Sequence, residues 1–122
     1  MLIAGLLIGG ALGAPTRFLV DGWVQGRVRA VFPWGTFVVN VSGSLLLGVI
    51  TGLALYHGLG EGPRVAIGTG FCGAYTTFST FSYETVRLVE EGALRAAAGN
   101  ALGSLLVGLA ASAVGLAIVA AI

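Results

Sequence analysis

The chain has 122 residues, of which 57% are hydrophobic and 9% charged, and its mean hydropathy is +0.99. A soluble domain carries about 25% charged residues, so the composition excludes a soluble enzyme or binding domain and defines an integral membrane protein. Formal net charge is +1 and no basic patch points to nucleic acid.

A spanning helix takes about 20 residues. The chain therefore has room for four helices and is read as one unit over 1–122. No basic run precedes the apolar start, so the first helix is expected to stay rather than be cleaved as a signal.

Helix one is expected from about Leu2 to about Val20. Gly5, Gly9 and Gly13 recur every four residues and give it a smooth face for close helix contact. Pro15 should kink or end the regular helix. Arg17 then either snorkels to the interface or lines a wet vestibule. From Asp21 to Phe32 the spacing of Val20, Trp23, Val24, Val28 and Val31 predicts a short amphipathic helix at the interface, with Arg27 and Arg29 on it.

Pro33 suits a helix N-terminus. Helix two is expected from Trp34 to Tyr56, with Thr36, Asn40, Ser44 and Gly48 on one polar, small face. Asn40 has two readings: an interhelical hydrogen bond or a place in a permeation path. His57 opens a glycine-rich loop, and without a second histidine it reads as an interfacial residue.

Helix three is expected from Pro63 or Arg64 to about Val89. Its centre, residues 70–84, is rich in Gly, Thr, Ser and Phe rather than Leu, Ile and Val. At membrane depth such a stretch packs inside protein or lines a pathway. Phe78 and Phe81 share a helical face. Cys72 reads as a small packing residue, and Glu84 as the partner of Arg87. After a tight turn at Glu90–Gly92, helix four runs to Ile122. Asn100, Ser104, Gly108 and Ser112 fall on one face, and Gly99 and Gly103 form a second close-packing pair.

No Asp or Glu lies mid-helix, which speaks against a proton-coupled pump. Nothing resembles a nucleophile with its base and orienter, so no enzyme activity is expected. What remains is a set of neutral donors and phenyl rings. Amides and hydroxyls solvate anions, and the positive edge of a phenyl ring also meets one. Such a track binds weakly enough to release its ion. Four short helices hardly enclose a pore alone, so self-association is expected.

Three stretches then resemble a known family: residues 9–18 around Gly13-Ala14-Pro15-Thr16-Arg17, residues 33–40 ending at Asn40, and residues 70–82 with Thr76-Thr77-Phe78-Ser79-Thr80-Phe81. They look like the signature stretches of the Fluc (CrcB-type) fluoride channels. The resemblance covers the whole chain. It implies an all-α fold of four transmembrane helices with a break in the third. It also implies an antiparallel, dual-topology homodimer in the cell membrane, with two fluoride pathways along the subunit interface.

Carried over by resemblance, Asn40 is the pore asparagine, and Phe78 and Phe81 line the fluoride route with their ring edges. Thr76, Thr77, Ser79 and Thr80 form the hydroxyl-rich part of the motif. Gly73 and Thr76 mark the helix break whose carbonyls, from both subunits, would hold a structural sodium ion. Asn100 and Ser104 belong to the polar track of helix four, which meets Gly108 where it would continue. Arg17 is the vestibule arginine. The implied activity is passive, fluoride-selective export that relieves fluoride entering as the neutral acid.

Two other readings remain. One is a small dual-topology multidrug exporter, although Gly5 to Ala14 lacks the carboxylate such exporters carry in helix one. The other is a non-transporting assembly subunit. Five arginines (17, 27, 29, 87 and 95) are expected on one membrane side and only Arg64 on the other. The positive-inside rule then favours an outside N-terminus and sits badly with equal insertion both ways.

Overall fold

The computed structural model describes residues 2–28 and 30–122. Among these the chain is all helix and turn, without strands. Helix α1 spans Leu2–Arg27 and α2 spans Trp34–Tyr56. Helix α3 covers residues 61–75, a π-helical Arg64–Cys72 between short α turns. Helix α4 is Ser79–Glu90, and α5 is Leu94–Ala121 with a π-helical insert at Gly99–Gly103. Among the described residues, α1, α2 and α5 are each long and apolar enough to cross a membrane. Helices α3 and α4 make a fourth rod in two halves.

Helix α1 departs from expectation. It runs unbroken through Pro15 to Arg27, so the separate amphipathic helix over 21–32 does not form. Pro15 lies on an exposed face of the helix. The Thr16 hydroxyl donates to the Leu12 carbonyl at 2.6 Å, adding a bond in the turn that proline weakens. Arg29, placed on that amphipathic stretch, lies outside the described residues. Trp23 still faces outward, with the Arg27 guanidinium 4.6 Å above its ring.

The glycine faces close the packing. Gly9 and Gly13 on α1 bring it onto the α3 backbone, where an added methyl would run into the carbonyls of Ala66 and Phe71. Gly48 sits against the Ser112 carbonyl, and a methyl at Gly115 would lie 2.6 Å from the Leu45 carbonyl, so α2 and α5 nearly touch. The Ser112 hydroxyl adds a bond of 3.1 Å to the Ser44 carbonyl. Within this chain Gly99 and Gly103 bring no second helix close. Gly99 has only the edge of Phe32 at 3.6 Å, and Gly103 has nothing within 4 Å.

The expected Glu84–Arg87 pair is also not made. Arg87 reaches Glu91 at 4.0 Å on the exposed side. Glu84 turns inward, with Oε1 buried and unpartnered. The rotation of α4 that places Phe81 inward carries Glu84, three residues on, to the same side. Arg27, Arg87 and Arg95 fall near helix ends on one side of the bundle and Arg64 on the other, following the direction of each helix, while Arg17 lies ten residues inside the end of α1.

Helix α4 ends where Gly92 takes a φ of +79°. The Ala93 N–H then returns to the Leu88 carbonyl at 2.9 Å, closing the last turn. Gly92→Ala should cost about 1 kcal/mol, because a side chain is strained at positive φ. The measurement is thermal unfolding of the purified protein in detergent, and an unchanged midpoint would contradict it.

Candidate functional site

The site grows from the gap between α3 and α4. Helix α3 stops at Tyr75, and Thr76 is extended (φ −78°, ψ 159°). In a continuous helix the Thr77 N–H would bond the Gly73 carbonyl. Here it goes to Asn40 Oδ1 at 2.9 Å, and Asn40 Nδ2 donates to the Thr77 carbonyl at 3.0 Å. One carboxamide on α2 thus replaces both backbone partners of Thr77. The Gly73 carbonyl loses its helical donor.

Other groups hold the same gap. The Thr77 hydroxyl accepts from the Thr80 N–H at 3.1 Å and caps the start of α4. The Thr76 hydroxyl bonds the Cys72 carbonyl at 2.8 Å, closing the end of α3. The buried Tyr75 shares a hydrogen bond of 2.9 Å with Ser42 on α2. Gly43 leaves room for the Thr76 methyl, and a side chain at Gly43 would meet the Tyr75 ring at 3.2 Å.

Beside this gap runs an open groove of about 680 Å³ between α2, the broken rod and α5. Of the residues singled out from the sequence, it gathers Asn40, Gly73, Thr76, Thr77, Phe78, Phe81 and Ser104. Phe78 and Phe81 have ring centroids 6.0 Å apart at a tilt of 45°. Phe78 is 80% exposed and stands out of the single chain.

Four expected site residues do not line the groove. Ser79 is on the outer side of α4, with its hydroxyl 3.4 Å from that of Thr77. Thr80 contributes its backbone N–H to the cap. Asn100 is completely buried between α4 and α5. Arg17 lies one helical turn before Asp21 on α1, and its Nε is buried without a partner, as is Asp21 Oδ1. Asp21 packs against the backbone of Gly35 at the start of α2.

Three contributors, Tyr75, Ser42 and Thr85, went unnoticed in the sequence. Tyr75 and Ser42 meet across 33 positions, and no local pattern announces the pair. Thr85 accepts from Asn100 Nδ2 at 2.8 Å and donates to the Phe81 carbonyl at 2.9 Å. Its signal was the position of a hydroxyl four residues after Phe81, on the side that α5 covers.

The groove offers an anion neutral donors and aromatic edges with no carboxylate among its lining. Fold and site together define a small multi-pass helical membrane protein with an open, mainly apolar groove that carries a few neutral polar groups beside a broken helix. The chain belongs to the CrcB-like family: residues 4–116 match the family described as "CrcB-like protein, Camphor Resistance (CrcB)". It is 50% identical to "Fluoride-specific ion channel FluC 1" of Frankia casuarinae, across 96% of this chain and 95% of that protein. It is 53% identical to the protein of the same name in Streptomyces avermitilis, across 88% of this chain and 87% of that one. "Fluoride-specific ion channel FluC" of Syntrophotalea carbinolica is 50% identical across 84% of each.

Proposed function

We propose that this protein is a fluoride-selective ion channel. It passes fluoride down its electrochemical gradient, so an inside-negative potential drives the ion out. It is a channel and not an enzyme. The observation that carries the reading is the groove, where Thr77, Ser104 and the remaining N–H of Asn40 lie beside Phe78 and Phe81. The names of its relatives support fluoride as the ion. Cells gain from such a path because fluoride enters as the neutral acid and ionises inside.

The working unit in this reading is an antiparallel homodimer of four-helix subunits, in which α3 and α4 together make the fourth crossing. Three features support a second copy: the groove lies open, Phe78 stands out of the chain, and Gly73 faces free space. A groove lined by one chain on one side needs another wall to exclude lipid from the ion's path.

A sodium ion fits the same break. The Gly73 carbonyl has lost its helical donor to Asn40, and Gly73 is exposed, as a group shared with a second subunit must be. Thr76, in extended conformation, adds its carbonyl. Backbone carbonyls suit a hard cation. When bound, the ion supplies positive charge at the subunit interface, which lowers the cost of an anion nearby. Arg17 is assigned to the vestibule, where a buried, unpartnered Nε has a donor to offer.

The test is fluoride efflux from liposomes holding the purified protein, with a potassium ionophore to release the charge and chloride as control. Rapid, ionophore-dependent fluoride loss without chloride loss is expected. Well-folded protein that passes no fluoride would overturn the reading.

A further inference from the structure

We infer that Thr85 is a positioning residue of the ion path: it dictates which end of the Asn100 amide faces Ser104. The inference rests on the channel reading above. It begins with a chain of three bonds that leads from the groove into the protein. Ser104 Oγ stands 3.4 Å from Asn100 Oδ1, Asn100 Nδ2 is 2.8 Å from Thr85 Oγ1, and Thr85 Oγ1 is 2.9 Å from the Phe81 carbonyl. Only Ser104 and Phe81, its two ends, line the groove.

The direction of the chain follows from the donor inventory. A carbonyl only accepts, so Thr85 must spend its one proton on Phe81. Toward Asn100 the Thr85 oxygen can then only accept. The amide must turn its nitrogen to Thr85 and its oxygen to Ser104. Asn100 is completely buried, so no water competes for either end.

This arrangement sets the resting state of Ser104. Its proton points at Asn100 and its lone pairs at the groove. At 3.4 Å the bond is long and weak. An anion arriving in the groove draws the proton over by rotation of the hydroxyl, and the proton falls back when the ion leaves. Ser104 is thus a donor that is parked between ions, which favours release. If the Thr85 oxygen is removed, the amide is free to flip. Its N–H then donates to Ser104, whose proton stays aimed into the groove. Fluoride is held more tightly and leaves more slowly.

The experiment is ionophore-coupled efflux over a range of fluoride concentrations for wild type, Thr85→Val and Thr85→Ser. Thr85→Val should lower both the half-saturating concentration and the limiting rate, each at least about threefold, the mark of tighter holding with slower exit. Thr85→Ser keeps the oxygen and should stay within about twofold of wild type. In an Asn100→Leu background Thr85→Val should add nothing. Should the valine variant not fold, Thr85→Ala removes the same oxygen with less bulk.

A lower rate at unchanged half-saturation would mean a merely structural role and would overturn the inference, as would a serine variant that behaves like valine. Side-chain amide signals of Asn100 in 15N-labelled protein give a second readout, independent of flux. Thr85→Val should shift them, and unshifted signals count against the inference. Wild-type protein that passes no fluoride sinks the channel reading instead, while the amide signals still decide what Thr85 holds.

Discussion

Asn40→Leu should lower fluoride efflux at least about a hundredfold while leaving the helical bundle assembled. The substitution orphans the Thr77 N–H and the Thr77 carbonyl together, because both are served by one carboxamide. Each buried polar group left unpaired costs about 1–3 kcal/mol, and about 1.4 kcal/mol is a factor of ten in an equilibrium. The chain has a cheaper option than bearing that cost. Thr77 can return its N–H to the Gly73 carbonyl and continue α3. That straightening turns Phe78 and Phe81 away from the groove and removes the free carbonyl at the break. Asn40→Asp tests the same point with less change of shape. It keeps an acceptor for the Thr77 N–H, loses the donor to the Thr77 carbonyl, and adds negative charge to an anion's route. Both variants should be measured by efflux alongside their elution in detergent. An Asn40→Leu protein that conducts within about threefold of wild type would show that the break is held without this amide. Loss of stability with no flux in either protein would instead favour an assembly subunit.

Of the two readings of Asn40, the structure shows the interhelical hydrogen bond, and it also places the side chain on the groove. The interhelical hydrogen bond and the groove position belong to the same side chain, since two of its polar groups hold the break and one N–H remains. The parts of the fold that were legible share a local cause. Helix α2 begins after Pro33 and ends before Gly58, whose φ is +70°, so its span was readable from punctuation. The residue pattern alone gave one helix from Pro63 or Arg64 to about Val89; the break was expected only through the resemblance, at Gly73 and Thr76. Its position between Tyr75 and Ser79 depends on Asn40, which is 37 positions away.

The misreadings share a cause of the opposite sort. Proline in a helix interior removes one backbone bond and crowds the carbonyl four residues back, but α1 continues through Pro15, which is exposed, and the Thr16 hydroxyl adds a bond to Leu12. Gly99 and Gly103 follow the same four-residue rule as Gly9 and Gly13, yet no helix of this chain packs on them. Spacing identifies a face and not its occupant. The π-helical turns at Arg64–Cys72 and Gly99–Gly103 leave no mark in a hydrophobic pattern. The second of them contains Asn100, which is completely buried and bonded to Thr85.

Gly13→Ala should be among the most damaging single methyls in the protein, costing about 3 kcal/mol, at the upper end of what overpacking usually does. The added carbon would run into the Phe71 carbonyl and lie 3.1 Å from the Tyr75 nitrogen. Both are backbone, so no rotamer change relieves the clash and the helices must part. The damage is not confined to packing. Tyr75 is the last residue before the break, and its hydroxyl is tied to Ser42 on α2. Moving α3 off α1 therefore pulls at the same half-helix that Asn40 holds from the other side. Efflux should fall together with thermal stability, whereas Gly92→Ala should lower stability alone. Gly22, on the same helix, has nothing within 4 Å of a would-be methyl. Gly22→Ala should be neutral or stabilising by up to about 1 kcal/mol, as alanine favours a helix over glycine. The comparison is made by thermal unfolding in detergent and by efflux on the same preparations. Equal behaviour of the two alanine variants would mean that the contact of α1 with α3 does not hold the break in place, and that Asn40 and the Tyr75–Ser42 bond hold it alone.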